Sequence, residues 1–236
     1  MTDDAALPTY RLDDSVAVIS LDDGKANVFS SAVVAHLEGL LDRVEADGAR
    51  ALVIIGRPGK FSAGFDLAEM SASTESMRSL VAAGARWMYR LYGLGIPTVA
   101  ACTGHALAAG ALTLLSCDLR IGAEVPAKIG LNEVAIGLTL PIFGVELGRD
   151  RLLPTAHAEA IVAATVYDPA GAAAVGYLDR VVPAEDLEAE ALAAARHLGE
   201  LRSGAYGGTK DHLRGERIAR VLAGLDADIA TMELPG

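Results

Sequence analysis

Two apolar stretches of this chain each end in a corner of small residues, and each corner leads into a segment with helical spacing. The first stretch, residues 51–56, leads to the small residues 62–64, and the second, residues 98–102, leads to a corner at residues 104–110. A single corner of this kind is also typical of an ordinary turn, where glycine serves only the backbone geometry. The repeated order of strand, corner and helix predicts an α/β fold.

The spacing of apolar residues predicts the positions of the other elements. Strands are predicted at residues 15–21, 51–55, 98–102, 118–121 and 178–182, and helices at residues 28–44, 77–91, 106–116, 155–164, 169–175 and 185–201. From about residue 155 the chain becomes rich in Ala and Leu, and Pro and Gly separate its segments. We therefore predict a core domain at residues 1–154 and a helical C-terminal part at residues 155–236.

Charge and composition exclude several classes of function. The 236 residues carry 20 Lys and Arg against 31 Asp and Glu, a net charge of -11, which disfavours binding to nucleic acid or to an anionic membrane. The five His lack metal-ligand spacing, and Cys102 and Cys117 lie among apolar residues that favour two buried thiols, so neither a metal site nor a disulfide is expected. Because no apolar run suits a membrane span and the N-terminus lacks a signal-peptide pattern, we expect a soluble, cytoplasmic protein.

Six short motifs follow one another in an order and spacing typical of one known family. They lie at residues 61–67, 104–110, 116–121, 129–133, 176–183 and 209–210. None is specific alone, but together they cover nearly the whole chain and resemble the crotonase superfamily, that is, the enoyl-CoA hydratase/isomerase family. The resemblance implies a crotonase-like (ClpP/crotonase) α/β spiral of ββα units, with a helical C-terminal region used for trimerisation and for completing the site. It also implies an acyl-CoA thioester substrate, no cofactor beyond its CoA moiety, and a homotrimer or a dimer of trimers.

The resemblance further assigns the groups that would stabilise a thioester enolate. The two donors of the family's oxyanion hole fall on the backbone N–H groups of Ala63 and Ala109. The family usually has glycine at the second position, and alanine keeps the N–H group. Two such donors, helped by the positive end of a buried helix, stabilise negative charge that develops on an oxygen.

Only one of the two glutamates that hydratases of this family use is matched here. One of the two positions falls on Leu112 and the other on Glu133. Hydration needs one group to activate water while a proton reaches the α-carbon, whereas a single base can move a double bond by carrying a proton between two carbons. We therefore predict an isomerase with Glu133 as its base. Without the resemblance, this carboxylate is more typical of a solvated loop or of a helix N-cap partner.

The remaining predicted contacts are with the CoA moiety of the substrate. By the resemblance they are assigned to Lys25, Ala26, Asn27, Phe65, Asp66, Leu67 and Lys210. Lys25 is the candidate for a phosphate contact and Phe65 for a pantetheine contact. Asp66 is also typical of a helix N-cap, and Lys210 of a solvated lysine.

Two other functions stay open at this level. One is an enoyl-CoA hydratase or another acyl-CoA lyase or hydrolase, in which water or a distant residue replaces the missing carboxylate. The other is an acyl-CoA-binding protein with little or no catalysis. The segment at residues 137–144 departs from the family's glycine-rich loop, so the resemblance predicts no particular acyl chain.

Overall fold

The computed structural model describes residues 6–234. Its strands are β1 (Thr9–Asp13), β2 (Val16–Leu21), β3 (Val28–Phe29), β4 (Ala51–Gly56), β5 (Gly59–Ser62), β6 (Gly64–Phe65), β7 (Thr98–Cys102), β8 (Gly104–Leu107), β9 (Leu119–Ala123), β10 (Ile129–Gly130) and β11 (Arg180–Val182). Its helices are α1 (Ser31–Ala46), α2 (Leu67–Met70), α3 (Thr74–Gly93), α4 (Ala109–Ser116), α5 (Ile142–Arg151), α6 (Pro169–Val175), α7 (Leu187–Gly199) and α8 (Ser203–Ile229).

The strands form two sheets that alternate along the chain, together with a short β3–β6 pair. The large sheet has the order β1-β2-β4-β7-β9-β11 and is parallel except at β1, and the small parallel sheet has the order β10-β8-β5. Three times the chain runs from a strand of the large sheet to a strand of the small sheet and then into helical structure: β4 to β5, β7 to β8, and β9 to β10. This is the predicted spiral of ββα units.

Both faces of the large sheet are covered by helices. One face belongs to the larger apolar core, which includes the fully buried Trp87 and Tyr89 of α3 and the apolar residues of α4. The other face is covered by α7, whose Leu187, Ala191 and Ala195 pack with residues of β2, β4, β7 and β9. Because a parallel sheet is buried on both sides, its strands read as continuous apolar runs, which is why the sequence predicted most of them.

The C-terminal part is largely helical and is also built into the core. β11 pairs with β9 in the large sheet, so the predicted division at residues 154 and 155 does not separate two sheets. Within residues 6–234, no helix is long and apolar enough to cross a bilayer.

Several elements differ from the predictions. The segment predicted as one helix at residues 106–116 begins as the end of β8, and its helix starts only at Ala109. The sequence analysis missed the edge strand β1, the short strands β3, β5, β6 and β10, and the helices α2, α5 and α8. The longest helix, α8, contains five glycines and many charged residues that weaken its apolar period, and its packing along α3 stabilises it instead.

Candidate active site

The first corner between strand and helix is held by a local hydrogen-bond network. The Ser62 hydroxyl donates to the Asn27 carbonyl at 2.7 Å and accepts from the Gly64 N–H at 3.1 Å. The Ala63 N–H donates to the Ala26 carbonyl at 2.9 Å. The predicted assignment of the Ala63 N–H to the oxyanion hole therefore requires correction, because this donor already has a backbone acceptor.

The register of β3 with β6 directs the next N–H group of this corner elsewhere. In a parallel ladder, one residue of each bridged pair uses its N–H and C=O toward the neighbouring strand, and the residue opposite it uses neither. Phe29 pairs with Phe65, and the Phe29 carbonyl accepts from the Asp66 N–H at 3.1 Å. Phe65 therefore turns its own N–H away from β3, and Phe65 lines the central cavity of the site.

The second corner brings the first turn of α4 against the first corner. A methyl carbon added at Gly64 would lie 3.3 Å from the Ala109 nitrogen and 3.0 Å from the Leu107 carbonyl oxygen. Ala108 precedes the helix with φ 49° and ψ -121° and makes no side-chain cap, so the first N–H groups of α4 are left to other acceptors. Such strain in a residue other than glycine is typical of functional sites. The buried α4 directs its positive end toward this junction.

Glu133 is a buried carboxylate without a compensating charge. Its residue is 9% exposed, and its Oε2 atom has no hydrogen-bond partner among the described residues. Burial raises its pKa from 4.5 to about 7. Glu133 precedes a short 3-10 turn at Val134–Ile136 but its side chain makes no cap there, so the alternative of a capping carboxylate is not realised.

One cavity of about 140 Å³ joins these features. Its polar edge includes Asn132 and Glu133, and its apolar wall includes Leu112. Leu112 is 1% exposed, and a methyl carbon added at Gly144 would touch its side chain at 3.4 Å. The position at which hydratases of the family carry a second carboxylate is therefore filled by packed hydrocarbon. The full lining is Ala63, Phe65, Leu67, Met70, Val81, Ala108, Leu112, Asn132, Glu133, Ile136, Leu138, Thr139, Leu140, Pro141, Phe143 and Met232.

The predicted CoA-binding residues have diverse environments. Asn27, with φ 53°, donates from its amide to the Leu21 and Phe61 carbonyls and so holds the loop that carries Ala26. Asp66 caps α2, where its carboxylate accepts from the N–H groups of Ala68 and Glu69. Leu67 is 65% exposed at the edge of the cavity. Lys25 lies in an exposed turn, where its carbonyl accepts from Arg57 at 2.8 Å.

Lys210 has a structural role in this fold, which contradicts both its assignment to CoA and the alternative of a solvated lysine. It is 7% exposed, and its ammonium donates to the Leu94 carbonyl at 2.7 Å, the Ile96 carbonyl at 2.8 Å and the Asp118 carboxylate at 2.7 Å. An ammonium has three N–H donors, and all three are used. The sequence alone gave no sign that α8 would place this lysine in the interior.

Asn132 and Met232 are among the lining residues that the sequence analysis did not assign to the site. Asn132 immediately precedes Glu133, and its Oδ1 atom is also buried without a hydrogen-bond partner in the described part of the chain. Its place beside the predicted base was a signal that could have identified it. Met232 lies far along the chain, beyond α8, and carries no local motif.

Comparisons with known proteins identify the family. The family model described as enoyl-CoA hydratase/isomerase matches residues 11–233. Human mitochondrial enoyl-CoA delta isomerase 1 is 32% identical over 91% of this chain and 72% of its own length. A putative enoyl-CoA hydratase of Thermus thermophilus is 35% identical over 78% of this chain and 75% of its own length.

A solved structure agrees with these sequence relatives. The crystal structure of an enoyl-CoA hydratase/isomerase family protein from Pseudomonas syringae superposes with a TM-score of 0.93 and 40% identity, covering 96% of this chain and 98% of that one. This agreement extends over the spiral core and the helical C-terminal region. The chain belongs to the enoyl-CoA hydratase/isomerase family, whose members act on acyl-CoA thioesters.

Proposed function

We propose that this protein is an enoyl-CoA isomerase that converts 3-enoyl-CoA into 2-enoyl-CoA with Glu133 as its single acid/base group. The observation that carries the proposal is the contrast within one cavity between Glu133, a buried carboxylate with a pKa near 7, and Leu112, which is apolar. A base that is half ionised near neutral pH is suited to accept and return one proton.

The proposed reaction moves one proton and one double bond. Ionised Glu133 takes a proton from C2 of the 3-enoyl thioester. The electron pair of that C–H bond forms a C1–C2 double bond, and the π pair of the thioester C=O bond moves onto its oxygen, which gives a dienolate. Protonated Glu133 then returns the proton to C4, where the C3–C4 double bond supplies the electron pair of the new C–H bond. The C1–C2 pair becomes the C2–C3 double bond of the product, and the electron pair on oxygen restores the C=O bond. No other reactant is consumed, so atoms and electrons balance.

The negative charge of the dienolate rests on the thioester oxygen. We assign the two hydrogen-bond donors to this oxygen to the backbone N–H groups of Phe65 and Ala109. This pair replaces Ala63 and Ala109, the pair assigned from the sequence. The β3–β6 register supports Phe65, and the position of Ala109 at the start of α4 supports the second donor. Removing one such donor in other enzymes costs about 100- to 1,000-fold in kcat.

The relatives carry both isomerase and hydratase names, so their names do not distinguish the two activities. The residue at position 112 favours the isomerase. Hydration requires a group that activates water, and hydrocarbon at this position neither binds a water molecule nor accepts its proton. The absence of a second carboxylate costs hydration about 100- to 10,000-fold if it acts as a general base.

The test is a parallel assay of the purified protein with a 3-enoyl-CoA and with the matching 2-enoyl-CoA. We expect rapid conversion of the first and little hydration of the second. Comparable hydration would reject the isomerase in favour of a hydratase. Binding of both thioesters without turnover would reject it in favour of an acyl-CoA-binding protein.

A pair of variants tests the role of position 112 itself. Leu112→Glu supplies the missing carboxylate and should raise the ratio of hydration to isomerisation, whereas the uncharged Leu112→Gln should not. If both variants leave that ratio unchanged, the identity of residue 112 does not explain the choice of reaction.

We also propose that Lys25 contacts a phosphate of CoA and that the chain assembles as a homotrimer or a dimer of trimers, as family membership suggests. Lys25→Ala should raise KM and leave kcat unchanged. Light scattering of the purified protein measures the assembly.

A further inference from the structure

The segment that follows α8 contributes to the apolar lining of the active-site cavity. Met232 lies in this segment and lines the cavity together with Met70, Val81 and Phe143. These four residues come from four separate parts of the chain: α2, α3, α5 and the C-terminal segment. The apolar lining is therefore assembled from separate parts of the chain, the C-terminal segment among them.

Polar contacts of Arg78 and Asp228 hold the C-terminal segment and the end of α8 in place. The Arg78 guanidinium of α3 donates to the Met232 carbonyl from Nε at 3.0 Å and from Nη2 at 2.7 Å. The same guanidinium pairs with the Glu233 carboxylate at 3.0 Å. In the last turn of α8, the Asp228 carboxylate accepts from the Ile142 N–H at 2.7 Å, at the start of α5. The backbone of Met232 is thus fixed by the helix that also supplies Val81.

The size of the cavity gives the scale of group that it can hold. It measures about 140 Å³, and an apolar cavity of about 150 Å³ in another protein binds benzene, a molecule of six carbons. An acyl segment of roughly six carbons therefore matches the size of this cavity, which both Glu133 and Met232 line. A longer acyl chain would meet the side chain of Met232. The backbone carbonyl of Met232 is held by Arg78.

We propose that Met232, positioned by Arg78, limits the length of the acyl chain, so that the preferred substrates are short- to medium-chain enoyl-CoA thioesters. This inference rests on the proposed function for the identity of the substrate. Met232 is a specificity-determining residue that contacts the acyl chain, and Arg78 is a positioning residue that acts through the Met232 backbone. Methionine is suited to such a wall because its flexible side chain fills irregular apolar space.

The experiment measures the binding of saturated acyl-CoAs from butanoyl- to dodecanoyl-CoA by calorimetry. In the wild type, we expect affinity to rise about fourfold with each added methylene until the cavity is filled, and then to level off. Met232→Ala should extend the rise by about two to three carbons, because it removes three heavy atoms from the wall. Met232→Phe should end the rise at a shorter chain, and Leu234→Ala, in the same segment but outside the cavity lining, should match the wild type.

Arg78→Met tests the positioning role because it keeps an unbranched side chain but removes the donors to the Met232 carbonyl. We expect it to extend the accepted chain length in the same direction as Met232→Ala while leaving the affinity for butanoyl-CoA within about twofold of the wild type. An equal loss of affinity for every chain length would instead indicate a general structural role of Arg78 and would overturn its assignment as a positioning residue.

The binding profile separates this inference from the proposed function, because saturated thioesters are not turned over. If the profiles of wild type, Met232→Ala and Met232→Phe level off at the same chain length, the inference is overturned whether or not the protein is an isomerase. If the profiles shift as expected but 3-enoyl-CoA is not isomerised, the length limit stands and the proposed reaction fails.

Discussion

Glu133 is a buried carboxylate and Asp118 a largely buried one, with its side chain 10% exposed, yet their surroundings differ completely. Asp118 accepts from Lys210 at 2.7 Å, from Arg214 at 2.8 Å and from the Tyr206 hydroxyl at 2.8 Å. Burial alone would raise the pKa of Asp118, but the two cations outweigh it and lower that pKa. Glu133 has no such cation, and burial raises its pKa to about 7.

The difference distinguishes a carboxylate that stabilises the fold from one that is free to exchange a proton. Asp118 joins α8 to the end of β7 and stays ionised, so it cannot act as an acid near neutral pH. Glu133 is buried without a cation that would stabilise its ionised form, and it lines a cavity. This is the pattern expected of an acid/base group. The same contrast predicts opposite effects of removing each charge.

The largest expected effect is on catalysis. Glu133→Gln keeps the shape of the side chain but removes the base, so we expect isomerisation to fall by at least about 100- to 10,000-fold, as measured by steady-state kinetics. The affinity for saturated acyl-CoA should remain close to that of the wild type. Glu185→Gln, which removes an exposed carboxylate, is the control for a change of net charge. Activity of Glu133→Gln within tenfold of the wild type would contradict the assignment of the base.

The next effect is on stability. Asp118→Asn leaves Lys210 and Arg214 buried without their counter-ion, so we expect the free energy of unfolding to fall by about 3 to 5 kcal/mol. Denaturant unfolding measures this change, and kcat of the remaining folded protein should not change. A loss below about 1 kcal/mol would mean that Asp118 is not the electrostatic anchor of α8.

The smallest effect concerns the pH dependence of stability. Because the pKa of Glu133 is raised from 4.5 to about 7 in the folded state, its protonated form favours folding by about 3 kcal/mol. This contribution is fully present below 4.5 and is lost as the pH rises through about 7. Glu133→Gln has no such loss, so relative to the wild type it should gain stability between these pH values.

Denaturant unfolding of the wild type and of Glu133→Gln at matched pH values measures this difference in stability. A constant difference in unfolding free energy across the range would contradict a raised pKa. Asp118→Asn should show the opposite trend at low pH, because the lowered pKa of Asp118 makes its contribution disappear only under acidic conditions.

Much of the fold followed from local pattern. The buried parallel strands are continuous apolar runs, so local pattern predicted an α/β fold. The spiral of ββα units and the choice of positions 112 and 133 came from the family resemblance, and the structure places both residues in the lining of one cavity. The α/β pattern depends on residue type and on spacing within a single unit. It did not require knowledge of distant contacts.

The features that were wrong or missed depend on register and on long-range packing. The proposed oxyanion donor is Phe65 and not Ala63, because the Ala63 N–H already donates to the Ala26 carbonyl and the pairing of β3 with β6 leaves the Phe65 N–H pointing away from β3. Lys210 has a structural role because α8 packs on α3. Met232, three residues beyond the end of α8, lines the cavity because that helix brings the C-terminal segment to it. No local signal in the sequence reports these contacts.

The most direct test follows the proton itself. A 3-enoyl-CoA that carries two deuterium atoms at C2 is isomerised in ordinary water, and mass spectrometry measures deuterium at C4 of the product from early turnovers. If one shielded carboxylate carries the proton, a clear fraction of the product should have deuterium at C4, since Oε2 of Glu133 is buried away from water. Product that carries only solvent hydrogen at C4, from the first turnovers onward, would contradict transfer by Glu133 alone.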